Sequence, residues 1–232
     1  MKNEWIYSTT PTTGDYGGTY LVRHKNFKIS WLDRGIQLYL RVDNNSEIIG
    51  ESGTVTNGDV SISVSYKLFP DVNYINIIHT VTNKGKISHV VDHRCFSDIA
   101  IEGSKNDGDM CPQRNIERNC GAEFINDRTV RFLLRDFPFV TNVDTYSYYN
   151  CPGYGDWNNC TEYPYVKVGA WIFFSWQNRL IAPHESKSYS YSIGIGEYNP
   201  KILPERTYII DNNEDIPKFL CFIILPYIFE LS

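Results

Sequence analysis

Two histidines and two charged residues stand together in Ser88-His-Val-Val-Asp-His-Arg94. In an extended strand His89, Val91 and His93 project to one face, and Asp92 and Arg94 to the other. Two imidazoles on one face beside a carboxylate suit metal binding or acid–base work at a sugar carbon. The plainer alternative is a polar sheet face. Glu102, Glu123 and Glu162 are available as carboxylate partners, but no motif fixes one of them. A second cluster is Asp98, Asn106 and Asp107, which flank Ile99–Ser104. Their oxygens would suit sugar hydroxyls or a hard cation such as calcium. Asx-turn chemistry in a loop explains the same residues without a ligand. Asp107-Gly108-Asp109 is one ligand short of a calcium loop, and no metal site is assigned.

Aromatic side chains form the third candidate. Tyr146, Tyr148, Tyr149, Tyr154 and Trp157 lie in an irregular stretch, residues 137–163, rich in Tyr, Asn and Gly. Rings on a loop can stack on the C–H faces of sugars. They can equally fold back and cover the body of the domain. Tyr154, Trp157 and Tyr148 are the ligand-binding candidates, with Asp98, Asn106 and Asp107. Long loops without structure of their own are uncommon unless functional or disordered, so any ligand site is expected in 137–163 rather than on the strand faces.

Six cysteines stand at 95, 111, 120, 151, 160 and 221. Cys111 and Cys120, and again Cys151 and Cys160, bracket eight residues of polar, turn-rich sequence. Two loop-closing disulfides would contribute about 2–3 kcal/mol each if the geometry allows. Six unrelated thiols are the alternative. Zinc is disfavoured because no C-x-x-C pair occurs.

The elements that must position these residues read as strands. In Val60-Ser-Ile-Ser-Val-Ser-Tyr-Lys-Leu68 apolar residues alternate with Ser61, Ser63, Ser65 and Lys67, the pattern of a strand with one wet face. Ile36–Val42, Tyr74–Val81 and Ser186–Ile195 alternate in the same way. Ser88–Ile101 and Thr129–Leu134 read as further strands, and Tyr20–Val22, Phe27–Leu32 and Thr207–Ile210 as shorter ones. Tyr165–Trp176 is nearly continuous apolar and reads as a central strand buried on both faces, ended by a turn at Asn178-Arg179. No window shows helical spacing with caps. The fold class is therefore all-β, an antiparallel β-sandwich over residues 1–198. Residues 199–232 are read as a C-terminal extension or the truncated start of a further domain. Phe219–Phe229 is apolar but interrupted by Pro226, too short for a membrane span.

The composition excludes several classes. The chain has 232 residues with 22 Lys+Arg against 27 Asp+Glu, a net charge of −5 that gives no footprint for nucleic acid. With 42% hydrophobic and 15% aromatic residues it has enough apolar surface to fold. No dinucleotide, P-loop, G-x-S-x-G or H-E-x-x-H motif occurs, and no cofactor is implied. Met1–Trp5 carries an acid early and does not read as a signal peptide. The expected location is cytoplasmic if the chain starts there, and extracellular or cell-surface if it is a fragment.

Three stretches in combination carry a resemblance: Thr80-Val-Thr-Asn-Lys-Gly85, Asp98–Asp107, and Phe174–Tyr189 running into Ile193-Gly-Ile-Gly-Glu197. Over about residues 60–197 the chain resembles large uncharacterised proteins of trichomonad-type protozoan parasites. Their repeated theme is similar to the β-supersandwich of the sugar-binding domains of mutarotases and polysaccharide lyases. The resemblance implies a supersandwich-like fold and a surface or secreted protein, with glycans or other surface proteins as partners. The expected function is a non-enzymatic domain, carbohydrate-binding or adhesive. The alternatives are an epimerase- or lyase-type enzyme using His89 or His93 with a carboxylate, and a structural module or truncated gene product.

Overall fold

The computed structural model describes residues 5–8, 19–24, 27–28, 35–69, 73–99, 113–116, 120–125, 129–147, 171–195 and 206–209. The strands are β1 (Trp5–Ser8), β2 (Leu21–His24), β3 (Phe27–Lys28), β4 (Gln37–Val42), β5 (Ile48–Ile49), β6 (Thr54–Asn57), β7 (Val60–Leu68) and β8 (Tyr74–Asn83), followed by β9 (His89–Asp98), β10 (Gln113–Asn115), β11 (Gly121–Phe124), β12 (Val130–Leu133), β13 (Thr145–Ser147), β14 (Trp171–Ile181), β15 (Ser186–Ile195) and β16 (Arg206–Ile209). No helix occurs among the described residues.

Two antiparallel sheets face each other. One is eight-stranded, in the order β10-β11-β12-β15-β8-β7-β16, with β6 also on β7. The other is five-stranded, in the order β13-β14-β9-β4-β5. This is an antiparallel β-sandwich, as the period-two patterning demands. A three-stranded sheet, β1-β2-β3, lies beside them, and the bridge Tyr20↔Ile36 ties its approach to β4. Residues 206–209, from the stretch read as an extension, pair with β7.

The inner faces supply one core. Val60, Ile62 and Val64 of β7 meet Ile75, Ile77 and Val81 of β8 and Tyr189, Tyr191 and Ile193 of β15. Leu38 and Leu40 of β4, Val91 and Cys95 of β9, and Ile172, Phe174 and Trp176 of β14 close it from the other side. The wet face of the larger sheet carries hydroxyls in register: Thr80 and Ser188 lie 3.2 Å apart, and Thr82 and Ser186 2.8 Å. Burial on both faces of Ile172–Trp176 matches the continuous apolar run.

The expected turn at Asn178-Arg179 is corrected. β14 runs on to Ile181 through a bulge, and the turn falls at residues 182–185. Asn178 takes the left-handed conformation, φ 55°, that suits an asparagine in a bulge as well as in a turn.

Gly194 is required by close approach. It stands opposite Tyr74, whose fully buried ring lies across it; an added Cβ would sit 2.1 Å from a ring atom. Gly194→Val is expected to cost roughly 1–3 kcal/mol through overpacking, read as a lower urea midpoint. An unchanged midpoint would contradict this packing.

Candidate functional site on the outer face of the five-stranded sheet

The face of the five-stranded sheet that points away from the core is neither apolar nor a simple wet face. Strand register places its side chains in rows. One row runs Gln37, Phe96, Phe173 and Ser147. The next runs Ile49, Tyr39, Arg94, Ser175 and Thr145. The third opens with Arg41 opposite Asp92. The first two rows are mostly buried: Tyr39, Arg94, Phe173 and Ser175 are all below one-tenth exposed. The Arg94 guanidinium lies 4.5 Å from the Tyr39 ring centroid and 5.4 Å from that of Phe173, and it donates to Glu47 at 2.6 Å. Thr145 and Ser175 exchange a hydroxyl bond of 2.7 Å, and Gln177 donates to Ser175 at 2.9 Å.

The third row is built by the bulge. Trp176 pairs with His93 and Arg179 with Val91, so Gln177 and Asn178 together oppose Asp92 alone. A bulge disrupts the ladder and leaves backbone amides in need of acceptors. Two carboxylates from distant segments supply them. Asp92 Oδ1 accepts from the Asn178 amide at 2.6 Å, and Asp144 Oδ2 accepts from the Gln177 amide at 2.6 Å. Each carboxylate also holds an arginine. Asp92 Oδ2 accepts from Arg41 Nε at 2.9 Å and Nη2 at 2.8 Å, and Asp144 accepts from Arg179 at 2.7 Å. Arg41 and Asp92 stand on the outer face, whereas Arg179, opposite inward-facing Val91 and two residues before Ile181 of the core, holds its pair with Asp144 on the other side of the sheet, near Tyr189. The side chains of Arg41, Arg179 and Asp144 are 26%, 31% and 40% exposed. The outer face thus carries one guanidinium–carboxylate pair, Arg41–Asp92, with the Gln177 amide and the Ser175 and Thr145 hydroxyls beside buried rings. Such planar donor and acceptor groups can grip vicinal hydroxyls in pairs. Arg41 and Asp92 balance in charge, which suits a neutral ligand.

The two histidines of the expected acid–base pair are separated. His93 points inward with Val91 and Cys95, away from the sheet face where a polar or catalytic role was expected. Its ring stacks on Trp176 at 4.7 Å and meets Tyr189 at 5.0 Å and His79 at 5.6 Å. Both its ring nitrogens are buried without a hydrogen-bond partner among the described residues. Burial, with His79 and Arg179 nearby, holds His93 well below the ordinary histidine pKa. His89 instead opens β9, its Nδ1 2.7 Å from Asp43 Oδ2. Asp43 Oδ1 also accepts from the Val90 amide at 2.8 Å. These bonds, the His89 contact first, hold the Asp43 carboxyl below its usual pKa.

Tyr146 is a core residue, not a loop platform: it is 2% exposed, with Arg135 5.1 Å from its ring centroid. Asp98 ends β9 opposite Trp171, and its side chain lies outside the described residues. Tyr148, Tyr154, Trp157, Asn106, Asp107, Cys111, Cys151 and Cys160 also lie outside them. Cys120 is buried. Among the described residues no group of three or more His, Cys, Asp or Glu side chains is placed to hold a metal ion.

Motif and periodicity do not single out Arg41, Asp144, Gln177 or Arg179. The signal available was Gln177-Asn178-Arg179, which a turn explains equally well. His79 is likewise not picked out by any motif, although the alternation of Ile75, Ile77 and Val81 places residue 79 on the inner face. His79 Nε2 is 3.0 Å from Tyr20 Oη, which is itself 2.7 Å from Tyr191 Oη. Burial lowers the His79 pKa to about 3 and raises those of Tyr20 and Tyr191.

The chain has an antiparallel β-sandwich fold. No family model matches it, and no curated protein matches it. A solved polysaccharide lyase is similar at a TM-score of 0.44 and 12% identity, covering 75% of this chain and 26% of the lyase. The chain thus spans about a quarter of that protein's length.

Proposed function

We propose that this β-sandwich is a non-catalytic binding domain for neutral glycans, of the surface or secreted kind that the protozoan-family resemblance implies. One observation carries the reading: the outer face presents the Arg41–Asp92 pair beside the Gln177 amide, at the accessible end of an otherwise buried polar and aromatic sheet face. Asp92 and Asp144 are each engaged by an arginine and a backbone amide, so they serve as fixed acceptors that position the guanidinium groups. β13 ends at Ser147 on this same face. Tyr148 follows directly in the chain, and Tyr154 and Trp157 lie a few residues on. These three residues are the stacking candidates expected from the sequence, and they lie outside the described residues. Each stacked ring is worth about 1 kcal/mol by analogy with aromatic pairs, so a single site binds weakly, roughly in the millimolar range. Multivalent display supplies the avidity.

A second reading is a sugar-active enzyme working through His89 with Asp43, because that pair lies within hydrogen-bond reach. His89 Nε2 is buried and has no hydrogen-bond partner among the described residues, which turns the ring's second nitrogen away from an incoming substrate. The binding reading is preferred for that reason.

The test is a glycan array in multivalent format with the wild-type chain, Arg41→Ala, and a Tyr154→Ala/Trp157→Ala double variant. Wild type is expected to bind neutral glycans, and each variant to lose at least roughly fivefold in apparent affinity with its fold intact. No binding by wild type to any glycan would remove the carbohydrate reading and leave a structural module. Turnover abolished by His89→Ala would favour the enzyme.

A further inference from the structure

Two imidazoles are enclosed between the sheets, one from each layer. His79 stands on β8 of the larger sheet and His93 on β9 of the smaller, with ring centroids 5.6 Å apart. Both are fully buried. His79 Nδ1 and both nitrogens of His93 have no hydrogen-bond partner among the described residues. An unpaired polar group in a dry core costs free energy that a phenylalanine in the same place would not. The proposed binding site does not use either ring.

Among the described residues no carboxylate acts on either ring. From β15, Tyr189 and Tyr191 face them; from β14, Trp176; from the approach to β2, Tyr20; from β9 itself, Cys95. Tyr7 of β1 packs on Tyr20, and Tyr66 of β7 on Tyr7. The formal charge acting on His93 is the cation Arg179, already paired with Asp144. Asp144 and Glu185 act only as far in as Tyr189. Among the described residues, a proton arriving on either ring therefore meets aromatic faces, a second imidazole and an arginine, with no buried anion to receive it.

We propose that His79 and His93 form an acid latch: protonation of the pair parts the two sheets, so that the sandwich opens in an acidified environment and is closed at neutral pH. The sign follows from burial. Both imidazoles have lower pKa values folded than unfolded, so the open state takes up protons first. Their contribution is complete above the unfolded value, about 6.5, and is lost as pH falls from there toward the folded value, about 3 for His79. Each imidazole lowers the closed-to-open ratio by up to tenfold per pH unit in that window. Two of them give up to a hundredfold per unit.

The experiment follows opening of the full chain from pH 7 to pH 3.5 by near-ultraviolet circular dichroism and by a dye that binds exposed apolar surface. Wild type is compared with His93→Phe, which keeps the stack on Trp176 and removes the two unpaired nitrogens. The variant is expected to be as stable as wild type or more so at pH 7. Its acid midpoint should fall by about half a unit or more, and the slope of log K against pH between 5 and 6 should fall by about one proton. An unchanged midpoint and slope would overturn the latch. A second measurement covers the case in which His93→Phe does not fold: proton resonances of the wild-type histidines across the same range. His79 and His93 should remain neutral until the protein opens. Either one titrating near pH 6.5 in the closed protein would also overturn the proposal.

Discussion

Trp176→Ala is expected to destabilise the protein by about 3–5 kcal/mol, a large part of the total stability of an ordinary domain. The indole is fully buried, stacks on His93 and meets the rings of His79, Phe174 and Tyr189. Its Nε1 donates to the Thr141 carbonyl at 3.0 Å, so truncation also leaves that carbonyl without its donor. Trp176 is the last regular residue of β14 before the bulge. A cavity there loosens both the core and the anchor of the candidate site. Trp171, at the start of the same strand, is only half-buried, with Phe96 as a ring neighbour at 5.8 Å. Trp171→Ala should therefore cost less than half as much. Urea unfolding of the two variants measures the difference, and equal losses would contradict the assignment of Trp176 to the centre of the core.

Asp92→Ala is expected to cost roughly 2–4 kcal/mol, a large value for a charged residue on a sheet face. Asp92 is 2% exposed and serves three donors: Arg41 Nε and Nη2, and the Asn178 amide. Removing it orphans a bulge amide and takes two hydrogen bonds from the Arg41 guanidinium. Arg41 is partly open to solvent, which keeps the loss below that of a fully enclosed ion pair. Asp92→Asn retains an oxygen for the Asn178 amide, so its cost should be about half. Hydrogen exchange at Asn178 separates the two effects. The amide should exchange much faster in Asp92→Ala and only modestly faster in Asp92→Asn. Equal exchange in all three proteins would show that Asp92 does not hold the bulge. On the proposed binding function, apparent glycan affinity should fall in Asp92→Ala beyond its stability loss, because Arg41 loses the carboxylate that orients it.

The strands were legible wherever one sheet face meets water. In Val60–Leu68 and Ser186–Ile195, serine and apolar residues alternate because each residue's neighbours two positions away share its face. That local rule determined the strand, its two faces and the all-β class. It also placed Val91 and Cys95 inward on β9, and with them His93, although the polarity of an imidazole suggested the opposite side. An isolated strand does not say which of its faces will be roofed by another sheet. His93 became a core residue only because Trp176, Tyr189 and His79 arrive from three other strands. Tyr146 changed in the same way, from a loop ring to part of the core.

The candidate site shows the sharper limit. Gln177-Asn178-Arg179 contains an asparagine that tolerates positive φ, and that property serves a reversing turn and a bulge alike. What decides between them is the supply of acceptors for the displaced amides. Those acceptors are Asp92 and Asp144, which lie 86 and 33 residues from the amides they receive. By itself the sequence determined the periodicity, and through it the strands and the two-layer fold. Tertiary structure alone decided the bulge and its two arginine–aspartate pairs, because the hydrogen bonds that fix them join segments that meet only once the sheets have formed.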